Sequence, residues 1–147
     1  MRVGIDFDGV LFDTASFKQY LEREIPGFLT HYNDHREAYE LDPTDEALGI
    51  EISELLSRVD ALQDFVINDL DRLTSLAHHD LILVSRGPHW FQKTKIVNSG
   101  VANYMNEVVI VRDESKDMAD IDVLIDDNTD ELNDVDATGF HFHPTHT

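Results

Sequence analysis

Short apolar runs alternate with helix-like segments along most of this chain. Four runs, at residues 2–7, 81–84, 108–111 and 121–125, are dominated by apolar residues, and a fifth lies at 139–142. Runs of this length are typical of strands that are buried on both faces of a parallel sheet. Because helical segments separate them, the pattern predicts an α/β fold: a Rossmann-like parallel sheet of about five strands with flanking helices and right-handed crossovers.

Apolar residues at spacings of three and four predict the helices between these strands. The predicted helices cover residues 15–25, 52–62, 64–79 and 89–98. Pro26 and Gly27 end the first of them, and the last begins after Pro88 and is closed by Gly100. The sequence therefore contains a stop signal for the first predicted helix, and both a start signal and a stop signal for the last.

The segment from residue 15 to residue 64 interrupts the regular alternation of strand and helix. It is a mixed polar stretch with a turn sequence at residues 42–45, followed by a helical stripe of apolar residues. We therefore predict a small helical insertion after the first strand. Residues 1–14 and 65–147 would then form the α/β core, and residues 15–64 the insertion.

Composition and charge narrow the classes of function. The 147 residues include 30 acidic and 11 basic residues, for a formal net charge of −19, which disfavours binding to nucleic acid polymers or anionic membranes. Adaptation to high salt would also give this composition. No apolar run is long enough to span a membrane, and no cysteine is present for disulfide or thiolate chemistry. Because Met1 leads directly into the first strand, a cytoplasmic location is expected. The oligomeric state is left open.

Polar residues that could carry chemistry follow the predicted strands. They are Asp6 and Asp8 at the end of the first strand, Ser85 after the second, Lys116 between the third and the fourth, and Asp126 and Asp127 at the end of the fourth. In a parallel sheet, the carboxyl ends of all strands lie on one edge, which is where ligands bind in open α/β folds. We therefore expect these separated pieces of the chain to meet in one crevice.

Such a crevice would be strongly negative. Four carboxylates at about 4 to 5 Å from one another repel by roughly 3 to 4 kcal/mol per pair at an effective dielectric constant near 20. Lys116 supplies one compensating charge, and a divalent cation would supply the rest. Since the candidate ligands are oxygen atoms, with no cysteine or histidine among them, Mg²⁺ is the metal that fits best.

The same residues suggest phosphoryl chemistry. A carboxylate beside Mg²⁺ could attack phosphorus and form an aspartyl-phosphate, which water then hydrolyses. Asp8 is placed to carry a proton. Ser85 and the backbone N–H groups of Arg86 and Gly87 could hold the phosphate oxygens that do not react, and Lys116 would add a compact positive charge.

At this point the sequence resembles a known family. The motif DFDGV at residues 6–10, a strand that ends in Ser85, the lysine at Lys116 and the motif DVLIDD at residues 122–127 resemble the four ordered motifs of the haloacid dehalogenase superfamily. Most members of this superfamily are Mg²⁺-dependent phosphatases. The insertion stands where the family places a helical cap, so the resemblance implies a small cap after strand one.

The resemblance also implies individual roles. Asp6 would be the nucleophile and Asp8 the general acid and base. Ser85 would bind phosphate and Lys116 would stabilise the transferring group. The Mg²⁺ ligands would be Asp6, the carbonyl of Asp8, and the pair Asp126 and Asp127.

Two positions depart from the commonest family pattern. Val10 stands where many members have threonine, and Asn128 follows the paired aspartates. The second feature resembles the 5'(3')-deoxyribonucleotidase-type branch. The expected substrate is therefore a small phosphomonoester, with a nucleotide first among the candidates. A catalytically silent phosphate-binding or regulatory protein, or a phosphotransferase of the same fold, would have the same motifs.

Several residues have a second interpretation. Arg86 could reach a substrate phosphate or simply lie at the surface. Lys93 and Lys95 compete with Lys116 for the role of the stabilising lysine, but they lie on the predicted helix at residues 89–98 and are expected to be solvated. Lys116 is preferred because it precedes Asp126 by ten residues.

Histidines and aromatic residues offer further candidates. His141 and His143 are two residues apart on a predicted strand, a spacing that could bind a transition metal. Without an acidic or cysteine partner nearby, solvated histidines are the expectation. Tyr32, Tyr39 and Trp90 could line a substrate pocket, although aromatic residues in helical segments usually belong to the core.

Overall fold

The fold is an α/β sandwich built around one parallel sheet. A computed structural model describes residues 1–41, 49–67, 76 and 78–143. The strands within these residues are β1 (Arg2–Ile5), β2 (Asp80–Arg86), β3 (Glu107–Val111), β4 (Val123–Asp126) and β5 (Thr138–His141). All of the pairings between them are parallel, in the order β3-β2-β1-β4-β5. The predicted fold class and each predicted strand are confirmed, with shifts of a few residues at the strand ends.

The strand order places β1 at the centre of the sheet. The chain proceeds outward from β1 to β2 and β3, then returns to pair β4 with the other side of β1. The order therefore reverses between β1 and β4, and open α/β sheets bind their ligands at the carboxyl ends of strands on either side of such a reversal. The residues that follow β1 and β4 lie at this point.

Both faces of the sheet are covered by apolar side chains. Val3 and Ile5 of β1 point to one hydrophobic cluster, whereas Ile82 and Val84 of β2 and Leu124 of β4 belong to a second cluster on the other face. Successive side chains of a strand point to opposite faces. Strands covered on both sides read as continuous apolar runs, which explains why the sequence pattern located them.

The helices of the described residues are α1 (Thr14–Glu24), α2 (Phe28–Asp34), α3 (Gly49–Leu56), α4 (Val59–Gln63), α5 (His89–Asn98) and α6 (Thr129–Asn133). Asp13 is the N-cap of helix α1, and its side chain accepts a hydrogen bond from the N–H of Ser16. The chain leaves α1 through Gly27, at φ +91°, and leaves α5 through Gly100, at φ +86°. Both glycines occupy a left-handed conformation that other residues rarely adopt. None of these helices is long and apolar enough to cross a bilayer.

The segment predicted as an insertion is helical where the structure describes it. The predicted stripe at residues 52–62 is divided into α3 and α4, and its residues Ile52, Leu55, Leu56 and Leu62 are buried in the same cluster as β1. Where the core ends and the insertion begins stays a prediction. The predicted turn at residues 42–45 lies outside the described residues.

Glu40, in the segment predicted as an insertion, contacts the start of α5. The carboxylate of Glu40 accepts a hydrogen bond from the N–H of His89 at 2.6 Å, and its carbonyl accepts one from the N–H of Trp90 at 2.9 Å. The same carboxylate pairs with Arg112, which follows β3. A residue of the insertion therefore satisfies two donors in the first turn of α5.

The prediction of a helix over residues 64–79 is wrong at its start. Val66 forms an antiparallel bridge with Phe12, and the N–H of Ile67 donates to the carbonyl of Leu11 at 2.9 Å. The chain therefore runs extended beside the loop that follows β1. Apolar spacing alone did not distinguish this short extended segment from a helix. Residues 68–75 and 77 lie outside the described residues.

Candidate active site

The loop after β1 brings two aspartates to the carboxyl edge of the sheet. The N–H of Asp6 donates to the carbonyl of Ile125 at 2.9 Å, so Asp6 extends the pairing of β1 with β4. The carbonyl of Phe7 then accepts hydrogen bonds from the N–H groups of Leu11 and Phe12, at 3.0 and 3.1 Å. These contacts fold residues 7–12 into a tight turn that holds Asp8 beside the strand ends.

Gly9 allows this loop to approach β4. Its φ angle is +81°, and a Cβ atom at this position would lie 2.2 Å from Oδ2 of Asp127. A larger residue would be strained in the backbone and would displace the Asp127 carboxylate. Glycine at position 9 therefore preserves the contact between the first motif and the last.

Lys116 is the buried centre of an ion-pair cluster. It lies on a 3₁₀ helix, Lys116–Ala119, between β3 and β4. Its Nζ atom donates to Oδ1 of Asp6 at 3.0 Å and to Oδ2 of Asp126 at 2.7 Å, and it lies 3.6 Å from Oε2 of Glu131. Its side chain is 2% exposed, and that of Asp126 is fully buried. Two strand ends are therefore joined through one enclosed ammonium group.

Three carboxylates converge at this point. Asp6, Asp126 and Asp127 each offer an oxygen atom within 4.8 Å of the other two. Counting Asp6, Asp126 and Asp127 as −1 each and Lys116 as +1 leaves the cluster at −2. The donor set contains only carboxylate oxygens, which is the set that hard divalent cations prefer. The arrangement can therefore hold a small divalent cation.

Electrostatics perturb the acids of this cluster in a consistent way. Burial raises the pKa of Asp6 well above its usual range, and Lys116 opposes the shift while Asp126 adds to it. Burial also raises the pKa of Asp127. For Lys116, burial favours the neutral amine, but the carboxylates of Asp6 and Asp126 outweigh it and raise the pKa of the ammonium. Burial is therefore the largest cause of the raised pKa values of Asp6 and Asp127, and Coulombic repulsion from Asp126 adds to both.

Asp8 belongs to a separate network. Its Oδ1 accepts hydrogen bonds from the hydroxyl of Thr14 at 2.6 Å and from Nζ of Lys95 at 3.1 Å, and its Oδ2 accepts one from Nε2 of Gln92 at 2.7 Å. Burial favours the protonated carboxyl, but Lys95 and these hydrogen bonds outweigh it and lower the pKa of Asp8. The side chain of Asp8 is 28% exposed, so it can still meet a ligand.

The expectation that Lys95 is solvated is wrong. Its side chain is 2% exposed and paired with Asp8, whereas Lys93 is exposed as expected. Helix α5 buries Phe91, Gln92, Lys95 and Ile96. A signal was present, since Lys95 follows Phe91 by four residues and Gln92 by three and thus shares their face.

Ser85 lies where the sequence placed it, at the end of β2. It is fully buried, and its hydroxyl accepts a hydrogen bond from Nε2 of Gln92 at 2.6 Å. Gly87 is needed at this point, because a Cβ atom there would lie 2.9 Å from Cγ of Gln92. The N–H of Gly87, expected to face phosphate, donates instead to the carbonyl of Val111 at 3.1 Å.

Arg86 is directed to the protein rather than to the crevice. Its guanidinium forms two hydrogen bonds with the carboxylate of Glu131, at 2.8 and 2.9 Å. It also donates to the carbonyls of Arg112 and Glu114. These contacts favour the structural interpretation of Arg86, in which it ties β2 to α6.

The remaining candidates are two histidines at the end of β5 and two tyrosines of the hydrophobic core. His141 and His143 are exposed with their ring centroids 4.0 Å apart, and Nε2 of His141 is 3.0 Å from the carbonyl oxygen of Asp127. Tyr32 and Tyr39 are buried and pack with Phe28 and Phe91. The expectation of solvated histidines and core tyrosines is confirmed.

Comparison with known proteins finds similarity to solved structures but not to known sequences. No protein-family model matches the chain, and no curated protein matches it in sequence. Among solved structures, a haloacid dehalogenase-like hydrolase from Burkholderia xenovorans superposes with a TM-score of 0.61 at 23% identity, over 89% of this chain and 74% of that one.

Two further solved structures give the same result. A hydrolase of the haloacid dehalogenase-like family from Xanthomonas campestris matches with a TM-score of 0.56 at 17% identity, over 96% of this chain and 82% of that one. The L-2-haloacid dehalogenase of Xanthobacter autotrophicus, with chloropropionic acid covalently bound, matches with a TM-score of 0.54 at 18% identity, over 89% and 71%. At these identities the likeness concerns the fold.

Proposed function

We propose that this chain, which has the fold of the haloacid dehalogenase-like hydrolases, is a Mg²⁺-dependent phosphohydrolase. It would cleave small phosphomonoesters through an aspartyl-phosphate. One observation carries the proposal. Asp6 at the end of β1 lies close to Asp126 and Asp127, and the ammonium of Lys116 pairs with Asp6 and Asp126. Asp8 lies nearby with its own partners. The candidate proton carrier is thus separate from the acidic cluster, which holds both the candidate nucleophile and the candidate cation site.

The cation that we propose for the acidic cluster is Mg²⁺. The residual charge of −2 and the absence of nitrogen and sulfur donors from this cluster fit a hard divalent ion. Mg²⁺ is preferred because it binds through few carboxylates and leaves positions for water and phosphate oxygens. When bound, it would neutralise charge on the phosphoryl group.

The chain's own residues account for both chemical steps. In the first, Asp6 reacts as the ionised carboxylate, which the neighbouring ammonium of Lys116 favours. One of its oxygens attacks phosphorus and the bond to the ester oxygen breaks, while Asp8 reacts in its protonated form and gives that oxygen its proton. In the second, water attacks phosphorus, Asp8 takes its proton, and the bond from phosphorus to Asp6 breaks to release phosphate. Lys116 and Ser85 would hold the oxygens that do not react.

A dehalogenase is the second candidate, because one structural neighbour carries that name. The residues favour the phosphatase. A halide leaves without a proton, so a dehalogenase would not need Asp8 as an acid in its first step. A cation in the acidic cluster would neutralise charge on a phosphoryl group, whereas departure of a halide has no such requirement. The phosphatase proposal uses both features.

The structure gives no reason to prefer nucleotides over other phosphomonoesters. Asn128, which resembles the deoxyribonucleotidase-type branch, caps α6 by accepting a hydrogen bond from the N–H of Asp130 at 2.9 Å. Asparagine at a helix N-cap has this structural reason by itself. A nucleotide stays one candidate among small phosphomonoesters, and a screen of phosphorylated metabolites with Mg²⁺ would identify the class.

The test is hydrolysis of p-nitrophenyl phosphate by the unaltered protein and by Asp6→Asn, with Mg²⁺ and with EDTA. We expect phosphate release that requires Mg²⁺ and that Asp6→Asn abolishes. Asp130→Asn, a change at an exposed aspartate, should leave the rate unchanged. Activity that survives in Asp6→Asn would show that Asp6 is not the nucleophile. Metal-independent release of chloride from 2-chloropropionate, without phosphate release, would favour the dehalogenase.

A further inference from the structure

We propose that Gln92 and Lys95, both on α5, are positioning residues that hold Asp8 for proton transfer and couple it to Ser85. This inference rests on the proposed function, in which Asp8 carries the proton. It concerns two residues that no sequence motif includes. Their contacts, burial and placement on one helix face carry the argument.

The contacts fix the orientation of the Asp8 carboxylate. Thr14 and Lys95 donate to Oδ1, and Gln92 donates to Oδ2, at distances between 2.6 and 3.1 Å. Because both oxygens have donors from different elements, rotation about the side-chain bonds would break at least one contact. Proton transfer requires such placement, since the carrier must lie within hydrogen-bond reach of the reacting oxygen.

Gln92 links the proton carrier to the phosphate end of the site. The same Nε2 atom donates to Asp8 at 2.7 Å and to the Ser85 hydroxyl at 2.6 Å, so its two hydrogens are both used. Gln92 is itself 2% exposed. The distance between Asp8 and Ser85 is therefore set by one buried amide group.

Lys95 carries a charge into an otherwise apolar surrounding. Its Nζ atom lies 4.8 Å from the ring centroid of Phe91 and 5.8 Å from those of Phe7 and Phe12. The ring faces attract the ammonium, but an apolar side chain of similar volume would fill the same space without desolvating a charge. The charge is thus directed at its one carboxylate partner in the described residues, Asp8.

The test compares two phosphate esters that differ in their need for a proton. The leaving group of p-nitrophenyl phosphate departs without protonation, whereas an alkyl phosphate such as glycerol phosphate requires it. The value of kcat/KM reports formation of the aspartyl-phosphate and excludes its hydrolysis. We expect Lys95→Met and Gln92→Met to reduce kcat/KM for the alkyl ester by about tenfold to 100-fold, within the range for a misplaced acid. For the aryl ester the loss should be less than about threefold.

Two controls separate positioning from structure. Lys93→Met, on the exposed side of the same helix, should change neither value. In an Asp8→Asn background, Lys95→Met should have no further effect on the ratio of alkyl to aryl kcat/KM, because it acts through Asp8. Thermal unfolding of each variant would confirm that it folds. If Lys95→Met does not fold, the comparison of the two esters is made with Gln92→Met.

The outcomes distinguish this inference from the proposed function. An equal loss for both esters, or a further loss in the Asp8→Asn background, would show that Gln92 and Lys95 act only on the fold. That result would leave the phosphatase intact. An unaltered protein that hydrolyses neither ester would refute the proposed function, and the positioning role with it.

Discussion

Acidic side chains gather at both ends of the parallel sheet, and the two groups differ in character. At the carboxyl end, Asp6 and Asp126 are buried around an enclosed ammonium, with Asp127 beside them. At the amino end, an open depression of about 350 Å³ is lined by Ile121, Ala137 and four acids, Asp117, Asp120, Asp122 and Asp136. Because the chain has a net charge of −19, a high density of acidic residues does not by itself distinguish the candidate site from the other group.

The acids at the amino end accept hydrogen bonds from backbone N–H groups and are mostly exposed to solvent. Oδ2 of Asp122 accepts the N–H of Arg2 at 2.8 Å, and Oδ2 of Asp117 accepts the N–H of Asp136 at 2.6 Å. Asp120, Asp122 and Asp136 are exposed. Solvent screens such charges, whereas the buried acids at the carboxyl end need a compensating partner, and Lys116 pairs with two of them. Burial together with an enclosed lysine, rather than the number of acids, therefore distinguishes the candidate site.

Removal of the central lysine should give the largest difference between the two ends. Lys116→Met leaves Asp6 and Asp126 buried without their partner, and breaking such a pair lowers the free energy of unfolding by about 3 to 5 kcal/mol. Urea unfolding measures the change, and Mg²⁺ should restore part of it. Arg2→Met at the exposed amino end should shift the urea midpoint less. Equal shifts of the urea midpoint in the two variants would mean that the two ends of the sheet do not differ in this way.

Magnesium should stabilise the protein through the carboxyl end alone. At a concentration 100 times its Kd, a ligand that binds only the folded state adds about 2.7 kcal/mol, which raises Tm by roughly 5 to 10 °C in a chain of this size. Asp127→Asn should lose most of this shift and Asp122→Asn none of it, as thermal unfolding with and without Mg²⁺ would show. A shift that survives Asp127→Asn but disappears in Asp122→Asn would place the cation at the other end.

Two glycines with positive φ angles provide a smaller, matched test. Gly9→Ala and Gly27→Ala both strain the backbone by about 1 to 2 kcal/mol. A Cβ atom at Gly27 meets nothing within 4 Å, whereas at Gly9 it meets Asp127. Gly9→Ala should therefore also weaken Mg²⁺ binding by about tenfold or more, measured by calorimetric titration, and Gly27→Ala should not. Equal Mg²⁺ affinities in the two variants would mean that this contact does not shape the cation site.

The sequence predicted the sheet and the principal acids for a common physical reason. Strands buried on both faces leave an apolar signature, and polar residues directly after such strands must reach the same edge. Asp6, Ser85 and Asp126 could be placed by this rule without knowing any distance. Lys116 does not directly follow a strand and was chosen because it lies between the third and fourth strands, ten residues before Asp126. The rule needs only the order of elements along the chain.

The rest depended on which way individual side chains turn. Lys95 and Arg86 are both cations near the carboxyl edge, yet one is buried against Asp8 and the other pairs with Glu131. Helical spacing gives the face of a residue but not the partner that it finds across a tertiary contact. The extended path at Val66 was missed for a similar reason, because its partner Phe12 is distant in sequence.

The sheet order has a consequence for the time at which the acidic cluster can form. Asp6 is synthesised well before its partner Lys116, which follows 110 residues later in the chain. Until β4 is synthesised and pairs with β1, the aspartate at the end of β1 has neither its ammonium nor its neighbouring acids. The whole segment from β1 to β4 must therefore be translated before the acidic cluster can form, and this closing contact is among the most long-range that the fold must make.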